Sequence, residues 1–170
     1  MKLYLAGPDV FLPDARALGA VKKARAAQAG HAAFFPLDAA LNVDFAVDPG
    51  PVVAAAIFAA NRGMIEACDA VLANLTPFRG PSADAGTVWE VGFAAGLGKP
   101  VFGYSNSVAP FAERTRALIG AGDGLEVEDF ALPSDNLMIH FALAGFYAHE
   151  AAAGARWTDL TSFDRALAAI

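Results

Sequence analysis

One cysteine, Cys68, and three histidines are all the thiol and imidazole ligands that this 170-residue chain contains. A lone cysteine closes no internal disulfide, and the dispersed histidines lack zinc-binding spacing. Charge is sparse as well, at 18% of residues against about 25% in an average soluble protein. What charge there is leans acidic, with a net −6, so the basic surface that displaces counterions from a nucleic-acid polymer is missing. No apolar run approaches the ~20 residues that cross a bilayer. The longest, Val52 to Ala60, stops at Asn61. The apolar start, Leu3 to Ala6, is cut by Gly7-Pro8-Asp9, unlike a secretory signal. No repeat, linker or charge block divides the chain. The expectation is a soluble, cytoplasmic protein with no metal or cofactor and no membrane or nucleic-acid partner, forming one domain over residues 1–170.

Apolar residues are plentiful, at 56% against roughly 45–50% in average proteins. A disordered chain lacks such surface. With so little charge, part of the outside is expected to be buried against other copies, as a homo-oligomer.

The order of elements follows from pattern and punctuation. Lys2–Ala6 reads as a buried strand ended by Gly7-Pro8. Ala15–Ala29 reads as a helix, with Leu18, Val21 and Ala24/Arg25 at helical spacing and Gly30 as the stop. Ala32–Phe35 is a second strand, and Ala39–Gly50 a long loop. Pro51 sits at a first helical position before the helix Val52–Cys68. Ala70–Leu75 is a third strand, Thr76–Ala83 a polar loop, and Ser82 or Asp84 caps a helix running to about Leu97. Val101–Tyr104 is a fourth strand. Phe111–Ile119, Asn136–Ala153 and Ser162–Ile170 read as helices, and Leu125–Phe130 is the candidate fifth strand. Short apolar strands alternating with helices specify a doubly wound α/β fold, flavodoxin-like or Rossmann-like, with a parallel sheet of about five strands. Such sheets bind ligands beyond the carboxyl ends of their strands. That directs attention to Gly7–Phe11, Pro36–Asn42 and Thr76–Glu90.

The last segment carries the most chemistry. Asp84 and Glu90 are two carboxylates six residues apart at a strand-to-helix junction. Glu90 shares a helix face with Gly86, whose small size admits a ligand to the backbone, and Trp89, Val91 and Phe93 surround it with apolar bulk. The plain alternatives are an exposed helical glutamate and a helix-capping aspartate. Capping and function are compatible for Asp84.

Four fragments closely resemble the nucleoside 2-deoxyribosyltransferases. They are Tyr4-Leu-Ala-Gly-Pro-Asp-Val-Phe11, Asp69-Ala-Val-Leu-Ala-Asn74, Asp84-Ala-Gly-Thr-Val-Trp-Glu-Val-Gly-Phe-Ala94-Ala95 and Asp135-Asn-Leu-Met138. The resemblance implies transfer of a 2-deoxyribosyl group between nucleobases, with a deoxynucleoside and a free base as partners. It makes Glu90 the nucleophile, Asp84 the group that handles the leaving base, and Tyr4 the hydroxyl that orients the nucleophile. It further implies that Asn136 reaches a neighbouring subunit's site, in a dimer or larger assembly. These residue types suit the chemistry. Breaking the glycosidic bond puts positive charge on C1′, which a carboxylate stabilises and then captures as an ester, while a second acid assists the leaving base. A nucleophile among apolar neighbours needs an offsetting hydrogen bond, for which the Tyr4 hydroxyl is the candidate, unless Tyr4 is simply a core aromatic.

Two departures from the family pattern concern the base. Asn61 stands where an aspartate is common, so it binds but cannot act as an acid. The loop Pro36–Ala40 lacks a glutamine, leaving Asp38 as a substitute or a turn residue. Gly7 in the first loop joins the binding set. Phe11 and Phe78 stack on a base or simply pack. His140 reads as a core or interface histidine and Cys68 as packing. Gly92, Gly96 and Gly98 lie within or at the end of a helix and make no dinucleotide fingerprint. The same site working on water would be an N-glycoside hydrolase of deoxynucleosides or their monophosphates. The first loop offers an acid and no base, which disfavours a 5′-phosphate. A non-catalytic binding module is the third reading.

Overall fold

The computed structural model describes residues 1–120, 122 and 124–170. Five strands form one parallel sheet: β1 (Lys2–Ala6), β2 (Ala32–Phe34), β3 (Ala70–Asn74), β4 (Val101–Ser105) and β5 (Gly145–Ala148). Their order is β2-β1-β3-β4-β5, the flavodoxin-like arrangement. The chain leaves β1 toward one edge and returns to place β3 on its other side, so the crevice of the fold opens above β1 and β3. The helices are α1 (Ala15–Gln28), α2 (Gly50–Ala67), α3 (Ala85–Gly96), α4 (Phe111–Ile119), α5 (Leu137–His140) and α6 (Thr161–Leu167).

Alternation along β1 splits the core into two layers. Leu3 and Leu5 pack with Ala26 of α1 and Phe163, Ala166 and Leu167 of α6. Tyr4 and Ala6 face the other way, toward Ile65 of α2 and Val91 and Ala94 of α3. That placement puts the one polar atom of the Tyr4 ring against the helix that carries Glu90.

Two readings made from the sequence are corrected. The fifth strand is Gly145–Ala148, not Leu125–Phe130, where the described residues form no strand. The long helix expected over Asn136–Ala153 is a single turn, Leu137–His140, followed by β5. An apolar run does not distinguish helix from strand; the free edge of β4 does, because Phe102 to Ser105 pair in register with Gly145 to Ala148. A helix there would carry Gly145 in its interior, at a cost of about 1 kcal/mol relative to alanine.

The helix α1 has the expected spacing but a different buried face. Ala15, Gly19, Lys22 and Ala26 point inward, while Val21 is 45% exposed. Small residues win that face because α1 lies close against Phe35; a Cβ at Gly19 would come within 2.6 Å of its ring. The remaining expected elements lie within a few residues of their predicted bounds.

Candidate active site

Beyond the carboxyl ends of β1, β2 and β3, residues of three connecting segments and of α2 wall a cleft of about 440 Å³. Gly7 and Phe11 come from the first segment, Asn61 from α2, and Asp84, Gly86 and Glu90 from the start of α3. Six of the ten candidates named above therefore share one cavity. Val10, Leu37, Phe45 and Ile57 supply its apolar lining.

Its centre is a hydrogen bond. The Tyr4 hydroxyl donates to Glu90 Oε1 at 2.6 Å, joining the middle of β1 to the second turn of α3. Glu90 is only 9% exposed. Burial pushes its carboxyl up to about 7, the Tyr4 bond pulls the other way, and the Asp84 charge adds a further rise. The Tyr4 bond thus offsets only part of the burial cost. Tyr4, wholly buried, is held protonated far above the ordinary phenol range, first by burial and then by the Glu90 charge.

Asp84 caps α3. Its Oδ2 accepts from the Thr87 amide at 3.0 Å and the Thr87 hydroxyl at 3.2 Å. Both contacts fall on one oxygen, so the other is the one available to a ligand. Gly86 also leaves room for this cap, because a Cβ there would sit 3.0 Å from Asp84 Oδ2 and press on the capping carboxylate. Across the cleft, Asn61 Oδ1 is buried without a hydrogen-bond partner, an acceptor that a ligand N–H or O–H would satisfy. Gly7 is required by space, since a Cβ would lie 2.7 Å from both Asn74 Cβ and Asp9 Oδ2.

Four candidates stand outside the lining. Tyr4 lies behind Glu90. Asp38 binds Lys23 at 2.6 Å and accepts the Phe35 amide at 2.9 Å, as a turn residue does. Phe78 stacks on Phe11 at 5.3 Å, with the Arg79 guanidinium over both rings. Asn136 caps α5 and donates to Glu128 at 3.2 Å.

Two charged groups escaped the sequence reading. Lys22, 2% exposed, reaches Asp9 Oδ2 at 2.8 Å and the Tyr104 hydroxyl at 2.8 Å. Asn74 donates to the other Asp9 oxygen at 3.2 Å. A lysine on the same helical face as Ala15, Gly19 and Ala26 was the available signal. Asp9 therefore turns inward and is neutralised, while Arg16 lines the cleft. The acid of the first loop no longer counts against a 5′-phosphate. The second group, Arg114 with Asp135, ties down the approach to Asp84.

Comparison with known proteins places this cleft in context. Residues 3–138 match the family model for nucleoside 2-deoxyribosyltransferase. A 2-desoxiribosyltransferase from Leishmania mexicana superposes with a TM-score of 0.68 at 32% identity, covering 98% of this chain and 97% of that one. A CMP N-glycosidase from Clostridium botulinum, at 11% identity and a TM-score of 0.50, covers 99% and 98% and shares the fold. The uncharacterized protein C191.05c of Schizosaccharomyces pombe is 33% identical over 116 residues, or 68% of this chain. The chain spans about half, 54%, of that relative's length.

Proposed function

The chain belongs to the nucleoside 2-deoxyribosyltransferase family, and we propose that it moves a 2-deoxyribosyl group between nucleobases through an ester on Glu90. The observation that carries the reading is the Tyr4–Glu90 hydrogen bond beside Asp84 in a cleft of nucleoside size. With Oε1 held by Tyr4, Oε2 attacks C1′ as the bond from C1′ to the base nitrogen breaks. In the reacting form the two carboxyls share one proton, carried by Asp84 while Glu90 is ionised. The base leaves with the electron pair and takes that proton from Asp84 Oδ1, since Oδ2 is engaged by Thr87. A second base then attacks C1′ through a ring nitrogen. The ester C–O bond breaks, the carboxylate is restored, and the proton of that nitrogen returns to Asp84. Two inversions give retention and ping-pong kinetics.

Asn61, Gly7 and Phe11 contact the substrate in this reading. Asp38 and Phe78 brace the wall from behind. A homo-oligomer is part of the proposal. The helix α2 is apolar along most of its length, yet Val52 is 50%, Ile57 38% and Phe58 49% exposed. A helix apolar on nearly every side is one that another surface covers. Asn136 of a neighbouring copy is proposed to complete the site.

The test is exchange of a labelled free base into deoxyinosine or thymidine. Wild-type protein should form the new nucleoside and Glu90→Ala should not; exchange retained by Glu90→Ala removes Glu90 from its role. Free deoxyribose released without an acceptor base would identify water as the acceptor, making the protein a hydrolase.

A further inference from the structure

Asp84 is anchored from both sides, and only one anchor is its own helix. The three residues ahead of it are gripped by a buried ion pair from the other half of the chain. Asp135 is 1% exposed. Its Oδ1 accepts the Ser82 hydroxyl at 2.7 Å and the Asn136 amide at 2.8 Å, and its Oδ2 accepts the Ala83 amide at 2.9 Å. Arg114 lies beside it, 3.6 Å from Oδ2, and donates through Nε to the Pro81 carbonyl at 2.6 Å. Its two remaining arms hold the carbonyls of Ala109 at 2.6 Å and Ser134 at 2.9 Å. Pro81, Ser82 and Ala83 are thus fixed at three successive points just before the cap.

We infer that Asp135 and Arg114 are positioning residues for Asp84, setting the carboxylate that handles the leaving base without touching the substrate. Paired charges in a dry site persist where geometry is worth more than the desolvation they incur. Misplacing a reacting group by about 1 Å costs on the order of 10²-fold in rate. The inference rests on the proposed role of Asp84.

The experiment compares two substrates that differ in what the base needs on leaving. The base of 2′-deoxyguanosine leaves with an added proton. The cationic base of 7-methyl-2′-deoxyguanosine leaves neutral without one. The readout is the ratio of kcat/KM for the 7-methylated over the ordinary substrate, after subtracting spontaneous loss of the base. Asp84→Asn should raise it by about 10²-fold, the lower end of general-acid contributions. Asp135→Asn should raise it by about 10-fold or more, and Ser82→Ala, which removes one bond, by about 3-fold. A merely structural role lowers both rates together and leaves the ratio fixed. An unchanged ratio in Asp135→Asn and Ser82→Ala, with a raised one in Asp84→Asn, overturns the inference. An unchanged ratio in Asp84→Asn overturns instead the role given to that residue. If Asp135→Asn does not fold, Ser82→Ala decides by the same criterion.

Discussion

Replacing Glu90 by glutamine should abolish transfer and make the protein more stable at alkaline pH. The carboxyl sits at about 7 in the folded chain against an ordinary 4.5. At about 1.4 kcal/mol per unit, the folded state therefore loses about 3 kcal/mol when Glu90 ionises. The sign follows from proton counting. Between these two values the folded protein retains a proton that the unfolded chain has released, so stability falls as pH rises through the window and levels off above it. Glutamine has nothing to ionise, and its carbonyl oxygen still accepts the Tyr4 hydroxyl. In a chain of this length about 1 kcal/mol corresponds to roughly 2–4 °C in Tm. Thermal unfolding should show Glu90→Gln ahead of wild type by about 6–12 °C at pH 8, with the gap mostly closed at pH 5. Titrating groups that do not interact with Glu90 are common to both proteins and cancel in the difference. A gap that is absent at pH 8, or constant across pH, would refute the claim that a buried charge is held here at a cost.

Other expectations follow from the same contacts. The pH profile of kcat/KM should rise through an acid limb with its midpoint near 7, where Glu90 ionises; a midpoint near 4.5 would mean the carboxylate is not desolvated in the free protein. Tyr4→Phe removes the bond that pulls Glu90 downward, so the limb should move to higher pH and the rate at neutral pH fall by about 10–100-fold, the worth of a hydrogen bond to a charged group. An unmoved limb would detach Tyr4 from the nucleophile. Lys22→Met strands Asp9 in the core and should cost about 3–5 kcal/mol in urea unfolding. Adding Asp9→Asn should recover much of that loss, and strictly additive costs would contradict the pairing.

The parallel sheet was legible because its inner strands are short apolar runs stopped by glycine, proline or a polar residue. The edge strand was not, because Ala142 to Tyr147 suits a helix or a strand equally until β4 offers its open edge. Nor could spacing orient α1. Its inward face is chosen by how closely Gly19 lets the helix approach Phe35, a tertiary fact. The cluster of Asp84, Gly86 and Glu90 was visible because one helix carries all three. Asn61, Gly7 and Phe11 joined it through motif order, which the sheet then converted into proximity. The Lys22–Asp9 and Arg114–Asp135 pairs were hidden for the opposite reason: each joins distant segments, so a charged residue shows no partner in the sequence, and only the small neighbours on its helical face hint that Lys22 is buried.

The central claim is that Glu90 forms a bond to the sugar during each turnover. Incubation with a deoxynucleoside bearing a fluorinated sugar, which slows release of the ester, should leave the protein heavier by one sugar. Fragmentation should place that mass on Glu90 within the segment Asp84–Gly96. An adduct on another residue, or none while product still accumulates, would contradict the account.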